Sequence, residues 1–193
     1  DNSQKVSILL SVYNAESSIE SSIKSILSQT YKNFELLIMD DHSSDKTLKI
    51  CEKMRSIDSR ITLFKNSINL GLTKSLNILA LNSNGAYIAR QDADDISLNQ
   101  RIEKQLTFLK KNKYDAVYSR TFLEGTKQIS PKITHYLPKK IVIKYKNPYI
   151  HGTLLINRKS LKAVNFYDED FYYAQDLKLV LDLQKSNYKI GIM

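Results

Sequence analysis

The first half of the chain alternates short apolar runs with stretches of helical periodicity, and that alternation restricts it to one class of fold. Val6 to Val12 (VSILLSV) reads as a buried strand. Ala15 to Gln29 follows as a helix, with Ile19, Ile23, Ile26 and Leu27 at helical spacing and Asn14 as its N-cap. Phe34 to Met39 is a second strand. A helix from Asp45 to Ile57 turns Leu48, Ile50, Cys51 and Met54 inward, with Ser43, Ser44 or Asp45 as its cap. Ile61 to Phe64 is a third strand, Leu72, Leu76 and Leu79 mark a third helix, and Ala86 to Ala89 is a fourth strand. Strands separated by helices of this length imply a parallel, doubly wound α/β sheet with helices on both faces.

The second half is less regular. Ile102, Leu106 and Leu109 mark a helix and Ala116 to Tyr118 a strand, followed by a polar loop region from Glu124 to Pro138. Gly152 to Asn157 reads as a strand. A helix follows whose Leu177, Val180 and Leu181 point to the core, and Tyr188 to Met193 forms a terminal strand. No repeat or linker divides the chain, so its 193 residues are expected to form one domain, with a hydrophobic share of 42% sufficient for a core. The longest apolar runs are too short to cross a bilayer.

In open parallel sheets, ligands bind beyond the carboxyl ends of the strands. Here those ends carry Ser11-Val12-Tyr13-Asn14, then Asp40-Asp41-His42-Ser43-Ser44-Asp45, then Gln91-Asp92-Ala93-Asp94-Asp95. Helix capping accounts for one or two of these aspartates, not for five. In Asp92-Ala93-Asp94 the first and third residues project to one side of extended backbone, so two hard oxygen donors can face one Mg²⁺ or Mn²⁺, with water and a diphosphate completing the shell. A bare D-x-D is common. Its position after a buried strand, beside a second strand ending in Asp40-Asp41, is what gives it weight.

The five glycines, Gly71, Gly85, Gly125, Gly152 and Gly191, build neither G-x-G-x-x-G nor G-x-x-x-x-G-K-[ST]. A dinucleotide oxidoreductase and a P-loop NTPase are therefore disfavoured. The single cysteine, Cys51, excludes an internal disulfide and reads as a helix core position. The formal net charge of +9 points to an anionic partner or to a solvated lysine-rich surface. No zinc cluster or aromatic RNA-binding motif supports nucleic acid.

Four blocks in order carry a resemblance. Val6 to Thr47 (VSILLSVYNAESSIESSIKSILSQTYKNFELLIMDDHSSDKT) and Asn69 to Gln105 (NLGLTKSLNILALNSNGAYIARQDADDISLNQRIEKQ) resemble the opening and central blocks of family 2 inverting glycosyltransferases. His151 to Arg158 (HGTLLINR) and Tyr172 to Leu183 (YYAQDLKLVLDL) are similar to that family's acceptor-side strand and catalytic-base helix. The resemblance implies a GT-A fold, a Rossmann-like three-layer α/β/α sandwich with a mostly parallel central sheet. It implies a nucleotide-sugar donor, UDP-linked by expectation, and a glycan or lipid-linked glycan acceptor of the polysaccharide-biosynthesis type. By the same resemblance Ser11, Tyr13, Asp41 and Asp92 hold the nucleotide, Asp94 and Asp92 hold Mn²⁺ or Mg²⁺, and Asp176 deprotonates the acceptor hydroxyl. Lys74 meets the diphosphate or is a solvated helix lysine. Residues 1–98 are expected to form the donor half and 99–193 the acceptor half of one domain.

Two positions depart from the family's pattern. Its Glu-Asp pair reads Gln175-Asp176 here, which places Gln175 among the acceptor-side candidates with a neutral side chain. The proline expected before the arginine after the metal motif is absent from Leu98-Asn99-Gln100-Arg101. His151 binds acceptor or phosphate, or is structural; His42 and His135 read as surface residues. Tyr167, Tyr172 and Tyr173 form either a sugar-stacking platform or ordinary half-buried packing. The rival readings are a nucleotide-sugar-binding pseudoenzyme and a binder of anionic surfaces or nucleic acid. The absence of an export-signal pattern and the lysine-rich charge suggest a cytoplasmic protein in peripheral contact with the anionic inner membrane face. Members of the family commonly continue past the strand that ends here, so a missing C-terminal part is also expected.

Overall fold

The computed structural model describes residues 4–122, 128–130, 142–143, 147–171 and 173–193. The chain runs β1 (Val6–Val12), α1 (Ile19–Leu27), β2 (Phe34–Asp40), α2 (Thr47–Ile57), β3 (Ile61–Lys65), α3 (Leu72–Leu81), β4 (Tyr87–Arg90), α4 (Arg101–Asn112) and β5 (Ala116–Tyr118). A two-stranded ribbon of β6 (Thr121–Phe122) and β7 (Ile129–Ser130) comes next, then a 3₁₀ turn (His151–Thr153), β8 (Leu155–Asn157), α5 (Arg158–Ala163), α6 (Gln175–Lys185) and β9 (Ile190–Ile192). The main sheet has the order β3-β2-β1-β4-β8-β5-β9. All its pairings are parallel except those of β8, which runs antiparallel to both β4 and β5.

Strand periodicity divides the core in two. On β1, Val6, Ile8, Leu10 and Val12 pack with Ile19, Ile23 and Ile26 of α1, Cys51 and Met54 of α2, and Ile102, Leu106 and Leu109 of α4. Leu9 faces the other way, with Leu37, Met39, Leu76 and Leu79, and with Leu179, Val180 and Leu183 of α6. Successive side chains alternate across a strand, so both faces of the central strands are covered by helices. This is the three-layer α/β/α sandwich expected.

Several local expectations are corrected. Asn14 does not cap α1: it adopts φ 48°, its Oδ1 accepts from the Ser44 amide at 2.8 Å, and residues 15–18 form a turn before α1 begins at Ile19. The α2 helix starts at Thr47 rather than Asp45, whose Oδ1 accepts from the Thr47 amide just outside the helix. Gly152 and Thr153 lie in the 3₁₀ turn, which confines the strand to Leu155–Asn157. On α6 the buried stripe is Leu179, Val180 and Leu183, while Leu181 is 44% exposed. Ile129–Ser130 pairs as a strand inside the stretch read as a polar loop; most of that stretch, including His135, lies outside the described residues. Among the described residues, no helix is long and apolar enough to cross a membrane.

Candidate active site

Register brings three strand ends to one edge. Val12 pairs with Asp40 and Leu9 with Arg90, so the chain leaves β1, β2 and β4 on the same side of the sheet. Because β8 is antiparallel, it is its beginning that meets this edge: the Arg90 amide donates to the Leu154 carbonyl, placing His151 and Gly152 beside Asp92. The α6 helix leads into β9, which is parallel to β5, so the N-terminal turn of α6 with Asp176 also faces this edge.

The loops after β1 and β2 are stitched together. The Asn14 amide donates to Ser43 Oγ, the Ala15 amide to Thr47 Oγ1 and the Glu16 amide to Asp45 Oδ2, while Glu16 Oε2 accepts from the Lys46 amide. Tyr13 stands 52% exposed above this seam, with Ser11 partly covered below it. Asp41 is buried. Its Oδ1 accepts from Asn66 Nδ2 at 2.7 Å and the Leu70 amide at 2.8 Å, and its Oδ2 from the Gly71 amide at 2.8 Å. Two carboxylate oxygens offer about four acceptor sites, so one remains on Oδ2 for a donor outside the chain. Gly71, at φ 83°, has the backbone freedom that turn requires. Lys74 is exposed on the first turn of α3, beyond that loop.

The acidic segment after β4 is held over Gly152. A methyl group on Gly152 would lie 2.6 Å from Asp92 Oδ2 and 2.7 Å from Asp95 Oδ2, so glycine is what admits both carboxylates. Burial and then the charges of Asp92 and Asp94 raise the Asp95 carboxyl above its ordinary value, against Arg101 and Arg90. Asp94 itself is exposed. Arg101 braces the segment: Nη1 donates to Gln91 Oε1 and Ser97 Oγ, and Nη2 to the carbonyls of Arg90 and Gly152. Burial brings this guanidinium down to about 10 against the opposing pull of Asp95 and Asp92. The turn lacking its proline is closed by the Arg101 amide on the Leu98 carbonyl at 2.9 Å.

Beneath the carboxylates lies a polar cluster. Arg90 is 4% exposed; its Nη2 donates to Asp92 Oδ1 at 2.5 Å and its Nη1 contacts the His151 ring. His151 Nε2 reaches the Tyr167 hydroxyl at 3.1 Å. Burial, then the Arg90 charge, holds His151 well below its ordinary pKa. Burial pushes the Tyr167 hydroxyl up to about 12, with Asp92 and Asp176 also raising it and Arg90 opposing. One tyrosine thus senses both carboxylates. Asp176 Oδ2 accepts from Asn147 Nδ2 at 2.7 Å, and Gln175 beside it is half-buried. Among the described residues, three buried side-chain atoms lack a partner: Asp40 Oδ1, Arg90 Nε and the Tyr118 hydroxyl. Asp40 and Arg90 end β2 and β4 at this edge.

Of the three tyrosines read as platform or packing, Tyr167 is packed inside. Tyr167 is 3% exposed and Tyr173 80%, while Tyr172 lies outside the described residues. His42 is exposed, as read. A separate cavity of about 960 Å³ is lined by Asn77, Phe166, Tyr167, Asp168, Lys178 and Asp182 among others, and by none of Ser11, Tyr13, Asp41, Asp92, Asp94 or Asp176. Sequence reasoning missed Arg90, Gly152 and Asn147. The one available signal was an arginine closing an apolar strand, where a charge requires a partner.

The sequence profile of glycosyl transferase family 2 matches residues 7–166. This chain belongs to glycosyl transferase family 2. Among curated relatives of the family 2 chain is the UDP-Glc:alpha-D-GlcNAc-diphosphoundecaprenol beta-1,3-glucosyltransferase WfgD of Escherichia coli, 35% identical over 186 residues, 94% of this chain and 70% of that one. Among solved structures, S. aureus TarS 1-349 in complex with UDP-GlcNAc superposes with a TM-score of 0.78 at 21% identity, over 98% of this chain and 56% of that one. The mannosyltransferase PcManGT from Pyrobaculum calidifontis, in complex with GDP-Man and Mn²⁺, superposes with a TM-score of 0.79 at 16% identity, over 97% and 54%. These likenesses show the GT-A fold. The family 2 chain spans 60% and 59% of the length of the first two curated relatives it matches.

Proposed function

We propose that the chain is the catalytic core of a metal-assisted, inverting glycosyltransferase that moves a sugar from a UDP-sugar to a lipid-linked saccharide. The observation that carries this reading is the convergence of Asp41, Asp92 with Asp94, and Asp176 on one edge of the sheet, from three separate elements. Residues 1–98 supply the donor side and residues 99–193 the acceptor side. TarS binding UDP-GlcNAc and WfgD acting on a diphosphoundecaprenol acceptor support the substrate classes.

Asp41 offers its remaining Oδ2 acceptor site to a base N–H, with Tyr13 exposed alongside for stacking. Asp94 and Asp92 are the residues that would hold Mn²⁺ or Mg²⁺. The carboxylates fit such an ion: the Asp92 and Asp95 side chains meet over Gly152 with exposed Asp94 in the same segment, and clustered hard oxygen donors favour a divalent cation. Among the described residues, no three His, Cys, Asp or Glu side chains group as a metal site, so the ion would rest on these aspartates together with the donor's diphosphate. When bound, the ion offsets negative charge on the departing diphosphate. PcManGT, solved with Mn²⁺, supports this assignment. Asp176 accepts the acceptor hydroxyl proton as the oxygen attacks the anomeric carbon from the face opposite the diphosphate, and a single displacement inverts that centre. The lysine-rich surface suits work at the anionic cytoplasmic face of a membrane.

Calorimetry of UDP binding with Mn²⁺ tests the donor site, together with UDP release from UDP-glucose in the presence of GlcNAc-diphosphoundecaprenol. Affinity should collapse in EDTA, and Asp176→Asn should lower kcat by roughly 10²–10⁴-fold while leaving UDP affinity unchanged. UDP affinity indifferent to EDTA removes the metal from the reading; near-normal kcat in Asp176→Asn removes the base.

A further inference from the structure

Asp176 does not stand free at the start of α6. Asn147 Nδ2 donates to its Oδ2 at 2.7 Å, across 29 residues of sequence. The orientation of that amide is fixed from its other end, because Asn147 Oδ1 accepts from the Tyr149 amide at 3.0 Å. An amide nitrogen cannot accept, so the Tyr149 N–H leaves only the donor end of Asn147 for the carboxylate. The segment is tied down further along. Pro148 and Tyr149 are buried, the Tyr149 side chain hydrogen-bonds Gln184 two turns down the same helix, and its ring packs on Tyr118 with centroids 4.8 Å apart.

We infer that Asn147 is a positioning residue for the base: it takes one oxygen of Asp176 and so presents the other, Oδ1, to the acceptor hydroxyl. This rests on the reading of Asp176 given above and adds to it a second residue, reached from a different element. A carboxylate on an unrestrained side chain rotates about its terminal bonds, and a general base must lie within hydrogen-bond reach of the proton it takes. Holding Oδ2 removes that freedom before the acceptor arrives. Gln175, the preceding residue, is neutral and adds no second negative charge beside the held carboxylate.

Two substitutions separate positioning from structure. Asn147→Asp keeps an oxygen that accepts from the Tyr149 amide but sets a negative oxygen against Asp176 Oδ2. Asn147→Ala removes both contacts. With UDP-glucose and GlcNAc-diphosphoundecaprenol as the probe pair, both variants should lose on the order of 10²-fold in kcat, with metal-dependent UDP affinity unchanged. Asn147→Asp, which keeps the Tyr149 contact, should be at least as impaired as Asn147→Ala. In an Asp176→Asn background, Asn147→Ala should cost no further activity, because it acts through a carboxylate already gone. Wild-type kcat in Asn147→Asp overturns the inference, as does a loss in Asn147→Ala that persists undiminished in the Asp176→Asn background; either result leaves the assignment of Asp176 intact. Near-normal turnover of Asp176→Asn itself, or no turnover of the probe pair by the unaltered chain, overturns both.

Discussion

Arg90 and Asp92 form an ion pair at the end of β4, 2.5 Å from Nη2 to Oδ1, with the arginine side chain 5% exposed and the aspartate 33%. The arginine pairs directly with the acidic segment, the Arg101 charge lies near it as well, and Gly152 is the surface on which that segment rests. Gly152→Ala should therefore displace both Asp92 and Asp95, since its Cβ would stand 2.6 and 2.7 Å from their carboxylate oxygens. The expected outcome is at least a tenfold loss of Mn²⁺-dependent UDP affinity, with metal-free UDP affinity and the far-ultraviolet circular dichroism spectrum unchanged. Full metal-dependent affinity in Gly152→Ala, read by calorimetry, speaks against Asp92 as a ligand of the ion.

Arg90→Met should destabilise the fold by about 2 kcal/mol, less than a fully enclosed ion pair because Asp92 is partly in water. It also relieves His151 of the adjacent charge that adds to burial in lowering its pKa. Burial alone continues to oppose protonation, so the His151 titration should move up toward 6.5 without reaching it. Histidine ring resonances followed across pH by NMR report this directly.

Asp41 has a structural duty beside the nucleotide role proposed for it. Asp41→Asn replaces one acceptor oxygen with a donor, which cannot serve both the Leu70 and Gly71 amides together with Asn66. A buried donor left unmet costs about 1–3 kcal/mol, so urea denaturation should shift by that amount, and hydrogen exchange at residues 70 and 71 should quicken. Weakened UDP binding without any loss of stability would assign Asp41 to the ligand alone.

Cys51 is fully buried on the inner face of α2, where burial, followed by the charges of Asp40 and Glu52, pushes its thiol up to about 12. The thiolate is the reactive form, so native protein at pH 8 should resist iodoacetamide and react only once unfolded by urea. Rapid alkylation of the native chain would contradict this packing.

Burial pulls the Glu35 carboxyl upward, but hydrogen bonds from Lys5, Ser7 and the Asn84 amide, with the Lys5 charge, outweigh it and hold it below its ordinary 4.5. A carboxyl depressed in the folded state binds fewer protons there than in the unfolded chain. Its stabilisation is complete above 4.5 and is lost as pH falls through the lower folded value. Glu35→Gln should therefore cost roughly 1 kcal/mol at pH 7, with the difference from the parent shrinking below pH 4.5. A difference that stays constant from pH 7 to pH 3 excludes the carboxylate as its source.

Elements whose signal is local were legible in the sequence. Val6 to Val12 is buried on both faces, and a strand that touches two cores needs continuous apolar side chains whatever surrounds it. The aspartates at the ends of β2 and β4 were legible for the same reason: the end of an apolar run shows where the chain leaves the sheet. The inward stripe of α6 shares only Val180 with the expected one: Leu179 and Leu183 are buried where Leu177 and Leu181 were expected, because a short helix with scattered leucines fits more than one face and only the neighbouring sheet selects among them.

What the sequence determined by itself is therefore the layered α/β class and the set of acidic residues set at strand ends. The resemblance of its blocks then pointed to family 2, which the matching profile established. What only the tertiary structure decided is which groups meet. The direction of β8 leaves no trace in periodicity, since a strand reads alike in both directions, yet that antiparallel strand brings His151 and Gly152 to Arg90 and Asp92. Likewise, nothing in the order of residues joins Asn147 to Asp176. Their hydrogen bond exists because the buried Pro148-Tyr149 pair is packed beside α6, a long-range contact set by burial and not by any pattern along the chain.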